Sequence, residues 1–398
     1  MKTRVLLLAI AAISPLLAQA PIDLRVYPAE HRKMVDPATG AELTFLTTHP
    51  GDDQALYYEQ RSWLSDSSLI LFTSSRPEGG LMGYLTATGE LVRLTTPRGA
   101  LGGPTAARDR PSVFAMRGQE VVELALEIHA AKPSRVSARE RVIARIPVDW
   151  GSSNTALTES CDGKQLAVGV GGRGAGNPGI DGRVAVVEVA TGKVWEAARV
   201  AGRQFGGHVV FSRTEPTLVS FGKAGVWIAV VDARTGERVF EQKQVVGEFA
   251  THHCWWRDYT ITFCGGWHPQ PHEDADVKVV DIRDGTVRIL GKGSWWPGAS
   301  PAELARWNWW HSAGHENGRW VAADNWHGDI GIFHGKTTRT YILTKDHRVY
   351  GRGTHPEVGW DRRGEQVVFS SHKLGSVDVC VATIPAQWQH EWESQVSR

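Results

Sequence analysis

The sequence predicts an all-β fold, a seven-bladed β-propeller, and three observations carry that prediction. A strand–turn–strand unit recurs seven times in 398 residues, at separations of 43 to 59 residues, which is the period of propeller blades. Glycine (43) and tryptophan (17) are abundant while long charged amphipathic runs are missing, as suits many short strands joined by tight turns. A hairpin pattern near the N-terminus has no inner strands of its own, and the last unit lacks a full outer strand. Each can complete the other, which closes the ring and removes two sheet edges. A pair of β-sandwiches is the competing architecture, and it leaves the common phase of the seven units unexplained.

Taken in order, the chain opens with a basic Lys2 and Arg4, an apolar run from Val5 to Leu17 and the small-residue site Ala18-Gln19-Ala20. This is the layout of a signal peptide over residues 1–20, and its apolar run is short for a membrane span. No second hydrophobic segment follows. The expectation is an exported protein, periplasmic or secreted, with one propeller domain over residues 21–398 and no membrane partner. The formal net charge of +1 advertises no polyanion surface, so nucleic acid is excluded as the expected ligand. Four cysteines, Cys161, Cys254, Cys264 and Cys380, are too few for a disulfide scaffold in so long a chain. Cys254 and Cys264 flank a predicted hairpin and either face each other or remain buried thiols.

The seven turn-plus-strand units are Ser65-Asp66 before LILFTS, Arg108-Asp109 before SVFAM, Cys161-Asp162-Gly163 before QLAVGV, Thr214-Glu215-Pro216 before TLVSFG, Arg257-Asp258 before TITFCGG, Asn317-Gly318 before WVAADN, and Arg363-Gly364 before QVVFSS. Thr-Gly-type hairpins follow several of them, as in YLTATGELVRLT, VVEVATGKVWEA, VVDARTGERVFE and VVDIRDGTVRIL. Val35 to Leu43 (VDPATGAEL) reads as the outer hairpin of the last blade. The one helical candidate is Pro301 to Trp310, with its proline near the start. Val170 to Gly176 (VGGRGAG) lacks the Lys-Ser/Thr ending and following helix of a phosphate loop and reads as a plain loop.

In a propeller every innermost strand enters from the same end of the central channel, so equivalent positions form a ring. Six residues before each turn stand Gln60, Gly103, Ala156, His208, His252, His311 and Glu357. Four consecutive blades thus carry ligand-capable side chains, and the pattern describes a pocket with one reactive wall. His253 and His355 lie beside it. His355 and Glu357 are two residues apart, on one side of an extended strand, a pair able to hold a divalent cation. Arg352 lies just upstream.

The segments GGHVVFS, THHCWW, WWHSAGHENG and THPEVGW with VVFSSHKLGS resemble the successive active-site segments of oligogalacturonate lyases, seven-bladed propeller enzymes of pectin breakdown. DPATGAELTFLT and the following YYEQ resemble that family's N-terminal region, so the resemblance spans most of the mature chain. It implies a catalytic base at His208, assisted by Arg183. It also implies manganese, held by His252 and by three last-blade positions. The family has Gln, His and His at those three, and this chain has Arg352, His355 and Glu357. His311 matches a further family histidine. Only His355 of the last-blade trio is kept, so Arg352 either binds the substrate acid or stands where metal charge would be.

The expected activity is therefore a polysaccharide lyase acting on 4-linked uronate oligosaccharides, pectic fragments first, with a divalent metal ion, manganese foremost, as cofactor. In β-elimination a base removes the weakly acidic C5 proton and the glycosidic oxygen leaves C4. A cation on the carboxylate stabilises the developing enolate-like charge, and a neutral imidazole can take the proton. Gln60 and Arg352 are the expected substrate-binding residues, and His252, His311, His355 and Glu357 the metal ligands. The structural alternatives are an Arg183 paired with Asp181 or Glu188, a structural His253 and His268, and tryptophans (255, 256, 309, 310, 360) that fill between blades. The competing functions are a lyase for another uronate glycan and a non-catalytic glycan- or protein-binding propeller.

Overall fold

The computed structural model describes residues 20–172, 179–242, 250–265, 276–293, 300, 308–325, 327–348 and 355–396. Residues 1–19 of the expected leader, Arg352, His268, residues 301–307 of the helical candidate and residues 173–176 of the glycine-rich loop lie outside that set.

Seven antiparallel sheets form the propeller. The first blade runs through Asp53–Ala55, Leu69–Ser74, Gly80–Leu85 and Leu91–Arg93, and the second through Gly102–Ala106, Ser112–Arg117, Glu120–His129 and Arg135–Arg145. The third holds Thr158–Glu159, Gln165–Val170, Gly182–Glu188 and Val194–Val200, and the fourth Phe205–Phe211, Leu218–Lys223, Trp227–Asp232 and Arg238–Glu241. The fifth holds Thr251–Trp255, Thr260–Gly265, Asp276–Asp281 and Val287–Gly291, and the sixth Trp309–Gly314, Trp320–Asn325, Ile330–His334 and Thr340–Thr344. The seventh joins Gly359–Trp360, Gln366–Ser371 and Asp378–Thr383 to Glu42–Phe45 and Arg32–Val35 from the N-terminal region.

The middle strands read as unbroken apolar runs (LILF, QLAVGV, VAVV) because a neighbouring blade covers each sheet face, and they are buried on both sides. Seven hydrophobic clusters lie one between each pair of adjacent blades, including Ala55, Phe72, Val368 and Val379 across the junction of the first and seventh. Buried Trp255, Trp256, Trp309, Trp320 and Trp360 belong to these layers. At three of the predicted turns Gly163, Gly318 and Gly364 take φ of 69°, 70° and 73°, the left-handed region where a side chain costs energy. Ser67 and Asp258 serve the same purpose elsewhere at 59° and 48°.

The closure follows the expected hairpin, with Cys380 opposite Phe45 and Ala382 opposite Leu43. It extends further than expected: Val26–Tyr27 and Ile22–Leu24 add outermost strands to the first and second blades. Two expectations are corrected. Trp309 and Trp310, read as a helix end, open the inner strand of the sixth blade, because alternation along a strand sends Trp309 between blades and Trp310 against His252 at the channel mouth. A C-terminal helix, Ala386–Val396, was not foreseen. Its Trp388 packs on Tyr341, and Glu391 meets Arg339 and the Tyr341 hydroxyl, so tertiary contacts sustain a weakly amphipathic segment. Cys254 and Cys264 are free thiols. They sit on paired strands out of register, Cys254 opposite Thr262 and Cys264 opposite Thr251.

Candidate active site at the channel mouth

Ring positions Gly103, His208, His252 and Glu357 share a left-handed backbone, with φ of 51°, 52°, 52° and 58°. The strands carrying His208 and His252 shift register there, as bulges do when they re-aim a side chain. Three of the four are not glycine, so each carries local strain that the surrounding sheet must hold. The repeated distortion turns successive side chains from the blades into the channel. It also corrects the local picture of His355 and Glu357. They precede the strand Gly359–Trp360, and the turn at Glu357, rather than an extended strand, brings the two together.

His311, His355 and Glu357 converge. His355 Nδ1 is 3.3 Å from His311 Nε2, and Glu357 Oε1 is 3.8 Å from His311 Nε2 and 3.5 Å from His355 Nδ1. Donors bound to one ion at roughly 2.0–2.2 Å stand about 3.0–3.5 Å apart at angles between 90° and tetrahedral; the observed triangle is close to that size. Glu357 Oε2 is buried with no hydrogen-bond partner, an orphan that a cation would satisfy. These three fit a divalent first-row metal.

Asp324, absent from the sequence reading, organises them. Its carboxylate accepts from the His311 and Glu357 backbone amides and from His311 Nδ1, all at 3.0 Å. That hydrogen bond puts the His311 proton on Nδ1 and turns the Nε2 lone pair toward His355 and Glu357, as carboxylates behind metal-bound imidazoles do. Burial pushes Asp324 up to about 7. Burial, then the Asp324 charge, holds Glu357 well above the carboxylate range. His252 and His311 are held well below the usual imidazole range by burial and then by neighbouring imidazoles, and His355 is lowered by burial. Each shift favours the neutral imidazole, the form that ligates a metal.

The His252 ring stands edge-on 4.4 Å from the His311 ring and tilted 4.8 Å from Trp310, with Nδ1 3.0 Å from Thr251 Oγ1. It stands on the rim of the triangle rather than within it. His252, His311, His355 and Glu357, with Tyr57, Gln60 and Gly103, line a cavity of about 430 Å³.

His208 is next to it, its ring 5.4 Å from that of His252. Its Nδ1 is 2.5 Å from Glu59 Oε1, and the Tyr58 hydroxyl lies 3.0 Å from the same carboxylate oxygen. Nδ1 donates to Glu59, which leaves Nε2 as a proton acceptor. Glu59 is the second residue the sequence reading missed. It stands in YYEQ beside Gln60, and only the fold shows that it is Glu59 that reaches His208. Gln60 lines the cavity but is anchored, accepting from Tyr57 N at 2.9 Å and donating to the Pro104 carbonyl. Arg183 bonds Glu196 Oε2 at 3.0 Å and the Asp181 carbonyl at 2.9 Å, over the Trp150 ring; its contacts among the described residues do not include His208. His253 is fully buried behind His208. Among the described residues no helix is long and apolar enough to cross a membrane.

No protein-family model matches the chain, and no curated protein matches it. Among solved structures it is similar to an oligogalacturonate lyase in complex with manganese, at 16% identity and a TM-score of 0.73, over 92% of this chain and 98% of that one. An oligogalacturonate lyase from Vibrio parahaemolyticus aligns at 16% identity and a TM-score of 0.71, over 92% of this chain and all of the other. The Cps50 (Swd1) propeller domain of Myceliophteria thermophila aligns over 84% of this chain at 12% identity, with a lower TM-score of 0.53. The likeness is one of fold.

Proposed function

We propose that the chain is a lyase that cleaves 4-linked uronate oligosaccharides by β-elimination, with His208 as the base. The observation that carries this reading is the placement, at one channel mouth, of a carboxylate-oriented imidazole beside a three-residue cation triangle. An imidazole held by Glu59 beside the triangle, with its other nitrogen left to accept a proton, favours a base over a passive binding surface. The fold shared with two oligogalacturonate lyases supports a pectic uronate as the first substrate to test. One of those structures is a manganese complex, which makes manganese the first metal to test.

His311, His355 and Glu357 would hold the metal, with His252 at its edge. A bound dication supplies positive charge for the substrate carboxylate as negative charge develops at C5. The remaining work belongs to the chain. His208 Nε2 accepts the C5 proton; the C–H electron pair becomes the C4–C5 double bond, and the glycosidic oxygen departs from C4 with the C–O bonding pair and takes a proton from water to leave as the hydroxyl. Glu59 keeps the imidazole in the accepting tautomer and stabilises the imidazolium once formed. Buried Tyr58 and half-buried Tyr57, pushed well above the phenol range chiefly by burial, stay neutral and flank the base. The leader-like N-terminus supports an exported enzyme meeting polymer fragments outside the cytoplasm.

The test is ultraviolet absorbance of the unsaturated product over a panel of uronate oligomers, with and without a chelator. Product from oligogalacturonate that disappears on chelation and returns with manganese is the expected result. Product only from another uronate moves the substrate, and chelator-resistant activity removes the metal. No product from any uronate sinks the lyase reading.

A further inference from the structure

We propose that the cleft between the third and fourth blades is a second uronate subsite, built from Arg203, Trp227 and Asn154, so that the protein reads two adjacent acidic sugars. The proposal rests on the lyase reading of His208. The cleft is a separate cavity of about 310 Å³, on the same face as the cation triangle. Gly206 and Gly207 line it and His208 is the next residue, so cleft and base are contiguous along one strand.

The His208 imidazole stands between the two cavities. Its ring is 5.4 Å from His252, which lines the metal-side cavity, and 6.2 Å from Trp227, which lines the cleft. A chain laid across His208 with one uronate at the triangle places its neighbour in the cleft.

Each wall has chemistry for an acidic sugar. Arg203 is exposed and makes no ion pair among the described residues. Its turn, Gly202–Gln204, is pinned by the Gly202 amide donating to Asp181 Oδ1 at 3.4 Å and by the Ala224 amide donating to the Gln204 carbonyl at 2.8 Å. An exposed guanidinium carried on a pinned turn suits a carboxylate. Asn154 donates through Nδ2 to the Gly171 carbonyl, which fixes the amide, while its Oδ1 is buried with no hydrogen-bond partner. That acceptor suits a sugar hydroxyl. Trp227 is held at φ 57°, a strained backbone for a bulky residue, and it presents a broad apolar face for a pyranose. Arg183 enters through this turn, because it bonds the Asp181 carbonyl whose side chain holds Gly202.

The experiment measures binding without turnover. Trigalacturonate is titrated calorimetrically into His208→Ala protein and into the same protein with Arg203→Gln, alongside a trimer whose units are methyl-esterified. Loss of one charge-assisted contact should weaken the acid about tenfold and leave the ester unchanged; Arg203→Lys should restore part of the difference. Equal weakening of acid and ester, or no change in either, overturns the subsite. Arg203-dependent acid binding in a protein whose wild type releases no unsaturated product would retain the subsite and reject the lyase reading.

Discussion

At His208, a 2.5 Å contact from Nδ1 to Glu59 decides which nitrogen faces a substrate. His208→Ala should lower kcat by about 10²–10⁴-fold, the usual contribution of a positioned base, with an unchanged far-ultraviolet spectrum. Glu59→Gln should lower kcat with little change in KM, since it loosens the tautomer and leaves the sugar contacts alone. Wild-type turnover in either variant removes that residue from the reaction. Asp324 works in the same way for His311. Asp324→Asn should weaken manganese binding about 10–100-fold, read by titration calorimetry without any substrate, and unaltered affinity would separate Asp324 from the cation. The same scale shows why Arg183 is hard to assign from a motif. Its guanidinium is committed to Glu196 and Asp181, so its reach is set by the neighbouring strand.

At the scale of elements, the closing hairpin depends on one carboxylate. Asp36 lies in the turn between Arg32–Val35 and Glu42–Phe45 and accepts from Ala38 N at 2.8 Å, Lys345 N at 3.1 Å and Lys373 Nζ at 2.9 Å, and from Thr344 Oγ1. Burial alone would raise its pKa, but the hydrogen bonds from Thr344, Lys373 and the two amides outweigh burial and hold it well below the usual range. The carboxylate ties the N-terminal hairpin to both the sixth and seventh blades. Asp36→Asn should destabilise by about 3 kcal/mol, because Lys373 loses the partner that offsets its desolvation. A depressed carboxylate contributes its stability above its unfolded pKa of about 4 and loses it as pH falls toward the lower folded value. The gap between wild type and variant in urea titrations should therefore be full at pH 7 and shrink below about pH 4. A gap independent of pH would show that packing, not charge, holds the turn.

For the whole molecule, ring closure is the step that makes seven sheets one structure. Without residues 20–46 the seventh blade would present the bare backbone edge of Asp378–Thr383, a template for pairing with another chain. That deletion should self-associate in sedimentation velocity, whereas deletion from Ala386 onward, which removes only the docked helix, should remain monodisperse relative to wild type. Phe45→Ala, at a fully buried position of the closing strand, should cost about 3–5 kcal/mol in chemical denaturation. A soluble, cooperatively folding protein lacking residues 20–46 would show that the ring closes without its N-terminal hairpin.

By itself the sequence determined the blade count, the phase of the inner strands and the hairpin that closes the ring. Those features repeat, and a period of Asp/Asn/Gly turns before apolar runs is a local signal. It also determined which ring positions carry His208, His252, His311 and Glu357, because equal steps from equal turns land on equivalent places in equivalent blades. The tertiary structure alone decided which of them meet. His311, His355 and Glu357 converge because a left-handed turn at Glu357 and a carboxylate from a different strand, Asp324, aim them. Glu59 reaches His208 across 149 residues of chain. Asp324 left one trace, an acid inside the WVAADN run, all of which is buried, but its partners lie on the neighbouring strand and the next blade. Partnerships across blades depend on bulges, register and side-chain reach, and none of these is periodic along the chain.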